Sequence, residues 1–233
     1  MDDLFLTREL VSSHPREEKM MRKYLLHLCL ILSSVLLMDN AAAAKQEWIN
    51  VKWVSDGDSI VLGDGRHVRY IGINAPEIAH DNHKAEIFGY EAKKYNQSLV
   101  RSKKVRLEFD KEKYDRYGRL LAYIFLSDGT FINKKMIEKG YAYVMPRSPN
   151  TKYDRMLLKT QRDAMSAKQG MWRNWDEKED EEYFGSKRSK RFHLNTCPYG
   201  RRIKKRNRIY FTRKWDAFWS GFAPCKRCMS GGN

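Results

Sequence analysis

Past residue 46, apolar and polar positions follow the short period that extended strands require. Trp48 to Val54, Ser59 to Leu62 and His67 to Ile73 are rich in β-branched and aromatic residues. Gly63-Asp64-Gly65 stands between the second and third runs as a tight hairpin signal. Val105, Leu107 and Phe109 recur with period two, and Leu120 to Leu126 is a further apolar run, which makes five strands. Three other segments carry the helical period. Phe88, Ala92, Tyr95 and Leu99 share one face. Ile132, Met136 and Ile137 form a shorter face that Lys139-Gly140 ends, and Tyr153, Leu157, Thr160, Ala164 and Ala167 form a third, up to Gly170. The predicted class is α+β: a five-stranded OB-type Greek-key barrel with about three helices over residues 46–173. Trp53, Val61, Ile71, Leu107, Leu121 and Tyr123 are expected in its core, and His67, His80 and His83 are read as strand and loop residues.

The pattern breaks at residues 174–186, where Asp176, Glu177, Glu179, Asp180, Glu181 and Glu182 cluster without periodicity; this segment is read as an acidic linker. The sign then reverses. Residues 187–233 form a basic module in which Arg201, Arg202, Lys204, Lys205 and Arg206 are candidate nucleic-acid-binding residues. At the other end, Arg22 and Lys23 precede an apolar run from Tyr24 to Met38, and Ala41 to Ala44 is a stretch of the kind a signal peptidase cuts. A run of 15 residues is short for a membrane span. Residues 1–44 are therefore expected to be an N-terminal extension and signal peptide, with the true start at Met20 or Met21. The mature chain is expected in a periplasm or outside the cell, as a monomer without stable membrane insertion; an uncleaved anchor is the alternative.

The formal net charge of +16 and the pI near 9.7 point to polyanionic partners, nucleic acid or an anionic membrane surface. Cleavage after Ala44 would remove five Lys/Arg and six Asp/Glu, leaving +17, and would remove Cys29. Cys197, Cys225 and Cys228 remain, an odd number that disulfides within one chain cannot fully pair.

Three motifs could serve phosphodiester hydrolysis, which needs a cation for the phosphate, a positioned water, a base and donors for developing charge. They are Asp56-Gly57-Asp58 in a turn, Arg69 to Glu77 running from a strand into a loop, and Asp115-Arg116-Tyr117-Gly118-Arg119 entering the last strand. With these motifs in this order, residues 48–172 resemble the staphylococcal nuclease family from end to end. The resemblance implies an OB-type barrel with three helices and a calcium-dependent nuclease acting on DNA and RNA with 3′-phosphate products. It assigns Glu77 to the attacking water, Arg69 and Arg119 to the phosphate oxygens, and Asp58 to the Ca²⁺. Two positions depart from the family pattern. Asn74 replaces the second metal-binding Asp, and Ala75, which would offer its carbonyl to the ion, stands where the family often has Thr. The substrate-side tyrosines of the family have no clear match, since Pro146, Arg147 and Ser148 occupy that loop.

His193-x3-Cys197 and Cys225-x2-Cys228 are two ligand pairs separated by 27 residues, a spacing that suits tetrahedral zinc. A disulfide that leaves one thiol free is the alternative. Residues 190–229 resemble the zinc-binding domain of the DNA-repair protein Ada, with His193 in place of the first cysteine, so a Cys₃His set is implied and methylphosphotriester repair is not. The rival to the nuclease reading is a nucleic-acid-binding OB-fold module without catalysis.

Overall fold

The computed structural model describes residues 19–28, 47–79, 84–175 and 181–229. The expected cleavage stretch, Cys29, His80 and His83, and Asp176 to Asp180 lie outside them. The chain divides into two compact units, Met1–Gln46 and Glu47–Asn233. In the first, residues 19–28 are helical (α1). No helix among the described residues is long and apolar enough to cross a membrane.

In the second unit β1 (Ile49–Asp56), β2 (Ser59–Leu62), β3 (His67–Tyr70), β5 (Lys104–Glu108) and β6 (Leu120–Leu126) close a barrel in the order β1-β2-β3-β6-β5. The β3–β6 pair is parallel and the rest are antiparallel. Between β2 and β3 the chain turns at Gly65, whose φ of +88° a side chain would resist. The turn is closed by Asp64, whose carboxylate accepts from the Arg66 amide and Nε. Helices α2 (Gly89–Val100), α3 (Ile132–Glu138) and α4 (Asp154–Ser166) fall where the 3.6-residue period places them. Leu120, Ala122, Ile124 and Leu126 of β6 face the barrel core, while Leu121 and Tyr123 alternate into a second cluster with Ile71.

Two local expectations fail. Trp53 is 51% exposed, because the inward position of β1 is taken by Val54 and register shifts flank this part of the strand. The strand expected over His67–Ile73 stops at Tyr70. Gly72, at φ +78°, turns the chain into a two-residue strand, β4 (Ile73–Asn74), that pairs with β7 (Tyr143–Val144). So short a pairing carries no periodicity to read. It is flanked instead by the Met145 amide, which donates to Gly72 O at 2.8 Å, while buried Asn133 fixes the bend before it, donating to Ile71 O at 2.9 Å and accepting from Ile124 N at 3.0 Å.

The C-terminal module is a four-stranded sheet, β10-β8-β9-β11, built from β8 (Tyr183–Ser186), β9 (Arg191–Leu194), β10 (Arg208–Phe211) and β11 (Ala223–Pro224). Around it lie the short helices α5 (Pro198–Arg201), α6 (Lys214–Trp219) and α7 (Lys226–Met229). Its first strand begins at Tyr183, ahead of the boundary expected at 187. Tyr183 and Phe184 are buried, so the expected linker yields its last four residues, 183–186, to the sheet. The module's apolar cluster is not closed on itself. Tyr143, Met165 and Trp172 from the barrel side pack with Tyr183, Phe192, Phe218 and Phe222 of the module in one apolar cluster. Buried Gln161 of α4 spans the seam, accepting from Val144 N and donating to Phe218 O, each at 2.6 Å.

Replacing Phe218 by Ala should therefore lower the free energy of unfolding by about 3–5 kcal/mol. Urea denaturation followed by tryptophan fluorescence should show barrel and module unfolding in one transition. Two separate transitions, with the barrel's unchanged by the substitution, would show that the cores are independent.

Candidate active site and metal cluster

Arg69 lies mid-strand in β3, between Ser59 of β2 and Leu121 of β6, and is 9% exposed. A guanidinium buried this far must spend its donors inside the protein. Nη1 donates to the carbonyls of Tyr70 and Ile73, each at 3.0 Å, and Nη2 to Asn74 Oδ1 at 2.9 Å and Asp58 Oδ2 at 2.8 Å. The Gly72 turn that sequence periodicity hid is what brings Asn74 within reach. Asp58, in the turn before β2, also accepts from Ala75 N at 2.7 Å and Ser59 Oγ at 3.0 Å. Desolvation pushes its carboxyl pKa well up, against the pull of Arg69 and the Ala75 amide. A carboxylate in that state gains from any further cation.

Asn74 completes the oxygen cluster. Its Nδ2 donates to Ala75 O at 2.8 Å and to Tyr143 Oη at 2.9 Å, so β7 sets the amide's orientation. Asp58, Asn74 and Ala75 thus bring one carboxylate, one amide and one carbonyl into a single hydrogen-bonded group. An all-oxygen set fits a hard divalent cation such as Ca²⁺ or Mg²⁺ and does not suit zinc. Its single carboxylate makes it a weakly charged set.

Arg119 is held differently. Asp115, buried at the start of the motif, accepts from Arg119 Nε and Nη2, both at 2.8 Å, and from the amides of Tyr117 and Arg119. The Arg119 side chain stays 36% exposed while the buried Asp115 carboxylate aims it. Glu77 follows β4 in a loop closed by Glu86, whose amide donates to Glu77 O at 2.9 Å. Gly89 packs on the same carbonyl, where a Cβ would meet it at 2.3 Å. The Glu77 side chain is half-exposed, and Lys226 of the C-terminal module reaches it in a direct ion pair.

Arg69, Asn74 and Arg119 line one cleft of about 1020 Å³, with Asp58 and Ala75 buried behind it and Lys226 on its wall beside Glu77. The structure thus brings Arg69, Asn74 and Arg119 to one cleft, while Glu77 does not itself line it and meets its wall through Lys226. Asp115, Tyr143 and Lys226 are additions. Asp115 was visible inside its motif, but Tyr143 and Lys226 are distant in sequence and carried no signal. Arg201, Arg202, Lys204, Lys205 and Arg206 are exposed on α5 and the turn after it, and none of them lines the cleft.

The second constellation is in the module. Ligand atoms of His193, Cys197, Cys225 and Cys228 all lie within 4.8 Å of one another. Tetrahedral bonds of about 2.3 Å to sulfur imply ligand separations of about 3.8 Å, so the four need only small adjustments around a zinc-sized ion. All three cysteines are free thiols in the structure, and Cys197 Sγ lies 3.4 Å from His193 Nδ1. Desolvation lowers the His193 pKa, which favours the neutral imidazole that a metal requires.

A closed small barrel with two carboxylate-anchored guanidiniums beside hard oxygen donors defines a protein built to handle phosphate esters. Comparison with known proteins gives the particular family. Residues 67–174 match the family model described as staphylococcal nuclease homologue. The chain is 35% identical over 134 residues to the thermonuclease of Staphylococcus hyicus, spanning 56% of this chain and 79% of that protein. It is 35% identical over 125 residues to the thermonuclease of Staphylococcus intermedius, spanning 52% and 74%. With endonuclease YncB of Bacillus subtilis the identity is 38% over 122 residues, 50% of this chain and 57% of that one. The chain belongs to the staphylococcal nuclease family.

Asp115 makes the anchoring of Arg119 pH-dependent. Desolvation raises its pKa, but the Arg119 side chain and the two amides outweigh that and hold the carboxyl below its usual range. A depressed folded-state pKa contributes stability above the unfolded value of about 3.9 and loses it as pH falls through the folded value. Asp115→Asn should be less stable than the parent at pH 7, with the gap narrowing as pH drops below about 4. Thermal melts at pH 7 and pH 3 check this, and a gap of constant size would contradict it.

Proposed function

We propose that this chain is an exported, calcium-dependent nuclease that hydrolyses phosphodiester bonds of DNA and RNA by attack of water on phosphorus, leaving 3′-phosphate ends. The observation that carries the reading is the convergence of Arg69 and Arg119 on one cleft beside the Asp58–Asn74–Ala75 oxygen cluster. Arg119, aimed by Asp115, offers planar donors to the non-bridging oxygens and to the charge that grows on the leaving oxygen. Arg69, with four of its donors tied inside, presents a fixed positive edge that costs no reorganisation when substrate arrives. Glu77, the half-exposed carboxylate that Lys226 ties to the cleft wall, takes or orients the proton of the attacking water, for which it must exchange Lys226 for that water. A calcium ion held by Asp58, Asn74 and Ala75 O would supply charge neutralisation for the phosphate. The matched relatives are named as thermonucleases and an endonuclease, which supports the same reaction here.

The second reading, a binding platform without turnover, draws on Asn74, which leaves the cation site a single carboxylate, and on the ion pair that occupies Glu77. Nuclease assays on plasmid DNA and on RNA, with calcium, magnesium or chelator, decide between them. Calcium-dependent cutting should fall by about 10²-fold or more in Glu77→Gln or Arg119→Ala. Folded protein that binds DNA but does not cut it in millimolar calcium would establish the platform. Asn74→Asp should tighten calcium binding in a calorimetric titration, and unchanged affinity would count against Asn74 as a ligand.

The Cys₃His cluster is read as a structural zinc site, like that of the Ada domain the module resembles. Purified protein should carry one zinc per chain by elemental analysis. Cys228→Ser should lower the zinc content and the melting temperature together, because the ligand pairs fasten β9 and β11 to α7. A full melting temperature without zinc would show that the shared apolar core alone suffices.

A further inference from the structure

The cleft has a wall that the nuclease reading does not use. Arg188, Ser189, Lys190 and Arg191, from the turn between β8 and β9 into the first residue of β9, line the same cavity as Arg69 and Arg119. With Arg147 and Lys226 included, the lining holds eight Arg or Lys side chains against two carboxylates, Asp115 and Asp154. Most of the cations nearest the oxygen cluster already have an acid: Arg69 has Asp58, Arg119 has Asp115 and Lys226 has Glu77. Arg191 does not. It is half-buried in the seam between barrel and module, and among the described residues no carboxylate pairs with it. Its guanidinium contacts Pro224 O at 3.4 Å and the thioether of Met145 at 2.9 Å, two weak acceptors for a group with five donors. Arg69 and Arg147 line the same cavity. A guanidinium stays charged when buried, and with only these weak acceptors its remaining donors suit an anionic oxygen.

The turn that carries this wall is rigid. Lys190 holds a left-handed backbone at φ +52°, which a lysine adopts only when its surroundings enforce it. Its amide donates to Ser186 O and its carbonyl accepts from Ala223 N, each at 2.9 Å, and its ammonium lies over the Phe222 ring at 4.8 Å. Cys225 N donates to Phe192 O at 2.9 Å, tying the wall to the Cys₃His cluster.

We infer that the β8–β9 turn, with Arg191 at its root and Arg188 and Lys190 at its rim, is a second phosphate-binding wall of the cleft. It takes backbone phosphates of a nucleic-acid strand next to the one held by Arg69 and Arg119. The ligand class is the phosphodiester backbone itself, since the wall offers charge and donors but, Arg forks aside, no stacking ring. The inference rests on the nuclease reading for the place of the scissile phosphate, but binding to the wall needs no catalysis.

The test is salt-dependent binding of a fluorescent single-stranded oligonucleotide by the full chain. It is measured on a Glu77→Gln background without added calcium, so that neither cutting nor loss of catalysis affects the reading. Each single-strand phosphate contact contributes about 0.7 to the slope of log affinity against log salt. Arg188→Gln/Lys190→Gln should reduce the slope by about 1.4, and adding Arg191→Met should take it to about 2. Lys204→Gln/Lys205→Gln, which removes the same charge outside the cleft, should reduce it by clearly less. In the Glu77 parent the wall variant should raise KM for the oligonucleotide about tenfold or more and hold kcat within about twofold. An unchanged slope, an equal loss from both double variants, or a fall in kcat at constant KM would each overturn the wall. The exposed double variant keeps the test open if Arg191→Met fails to fold. A changed slope in a chain that never cuts would keep the wall and discard the nuclease reading.

Discussion

Everything at the catalytic end of this molecule depends on the burial of one guanidinium. Arg69 is withdrawn from water in the middle of a barrel strand, and its cost is met by four acceptors from two stretches of chain. One is the Asp58 turn; the other is the β3–β4 bend from Tyr70 to Asn74, which supplies two carbonyls and the Asn74 amide oxygen. Satisfying Arg69 therefore assembles the oxygen cluster, because the groups that solvate the guanidinium are the ones expected to hold a cation. Removing any one of them leaves a buried charge short of a partner, so the site is under strong constraint even where no substrate touches it. Arg119 shows the complementary arrangement. Its partner Asp115 is buried while its own plane stays open, which suits a group that must meet an incoming anion.

The module is joined to this barrel by packing. Phe192, Phe218 and Phe222 complete a core that Tyr143, Met165 and Trp172 would otherwise expose, and Gln161 bonds to both sides of the seam. Tyr143 orients Asn74 and also packs on Phe218 with ring centroids 5.3 Å apart. The same few residues thus connect the module's core to the oxygen cluster. This makes the module part of the cleft's construction, and it explains how Lys226, 149 positions along the chain from Glu77, comes to rest on it.

Much of the barrel was legible because its determinants are local. Period-two runs, the Gly63-Asp64-Gly65 turn and the helical faces ending at Gly140 and Gly170 all report short-range preference, and the strands and helices fall where these indicate. Trp53 was misplaced because a register shift decides which side of β1 faces inward, and register is a property of the pair of strands. The β4–β7 pairing was missed for a similar reason. Two residues have no period, and a pairing across 69 positions leaves no trace in either segment alone.

By itself, then, the sequence determined the motifs and their chemistry: which arginines, carboxylates, cysteines and histidine are present, the family they resemble, and the elements that carry them. Residue type and local spacing suffice for that, since a fork of donors, a hard oxygen or a thiolate is the same wherever it lies. Only the tertiary structure decided which charges are paired, which are buried without a partner, and which surface of the basic module faces the cleft. Arg201 to Arg206 and Arg188 to Arg191 look alike as charge runs, yet only the second run lines the cavity. The difference comes from the shared apolar core, which fixes the docking of module on barrel through contacts too far apart in the chain for any sequence pattern to record.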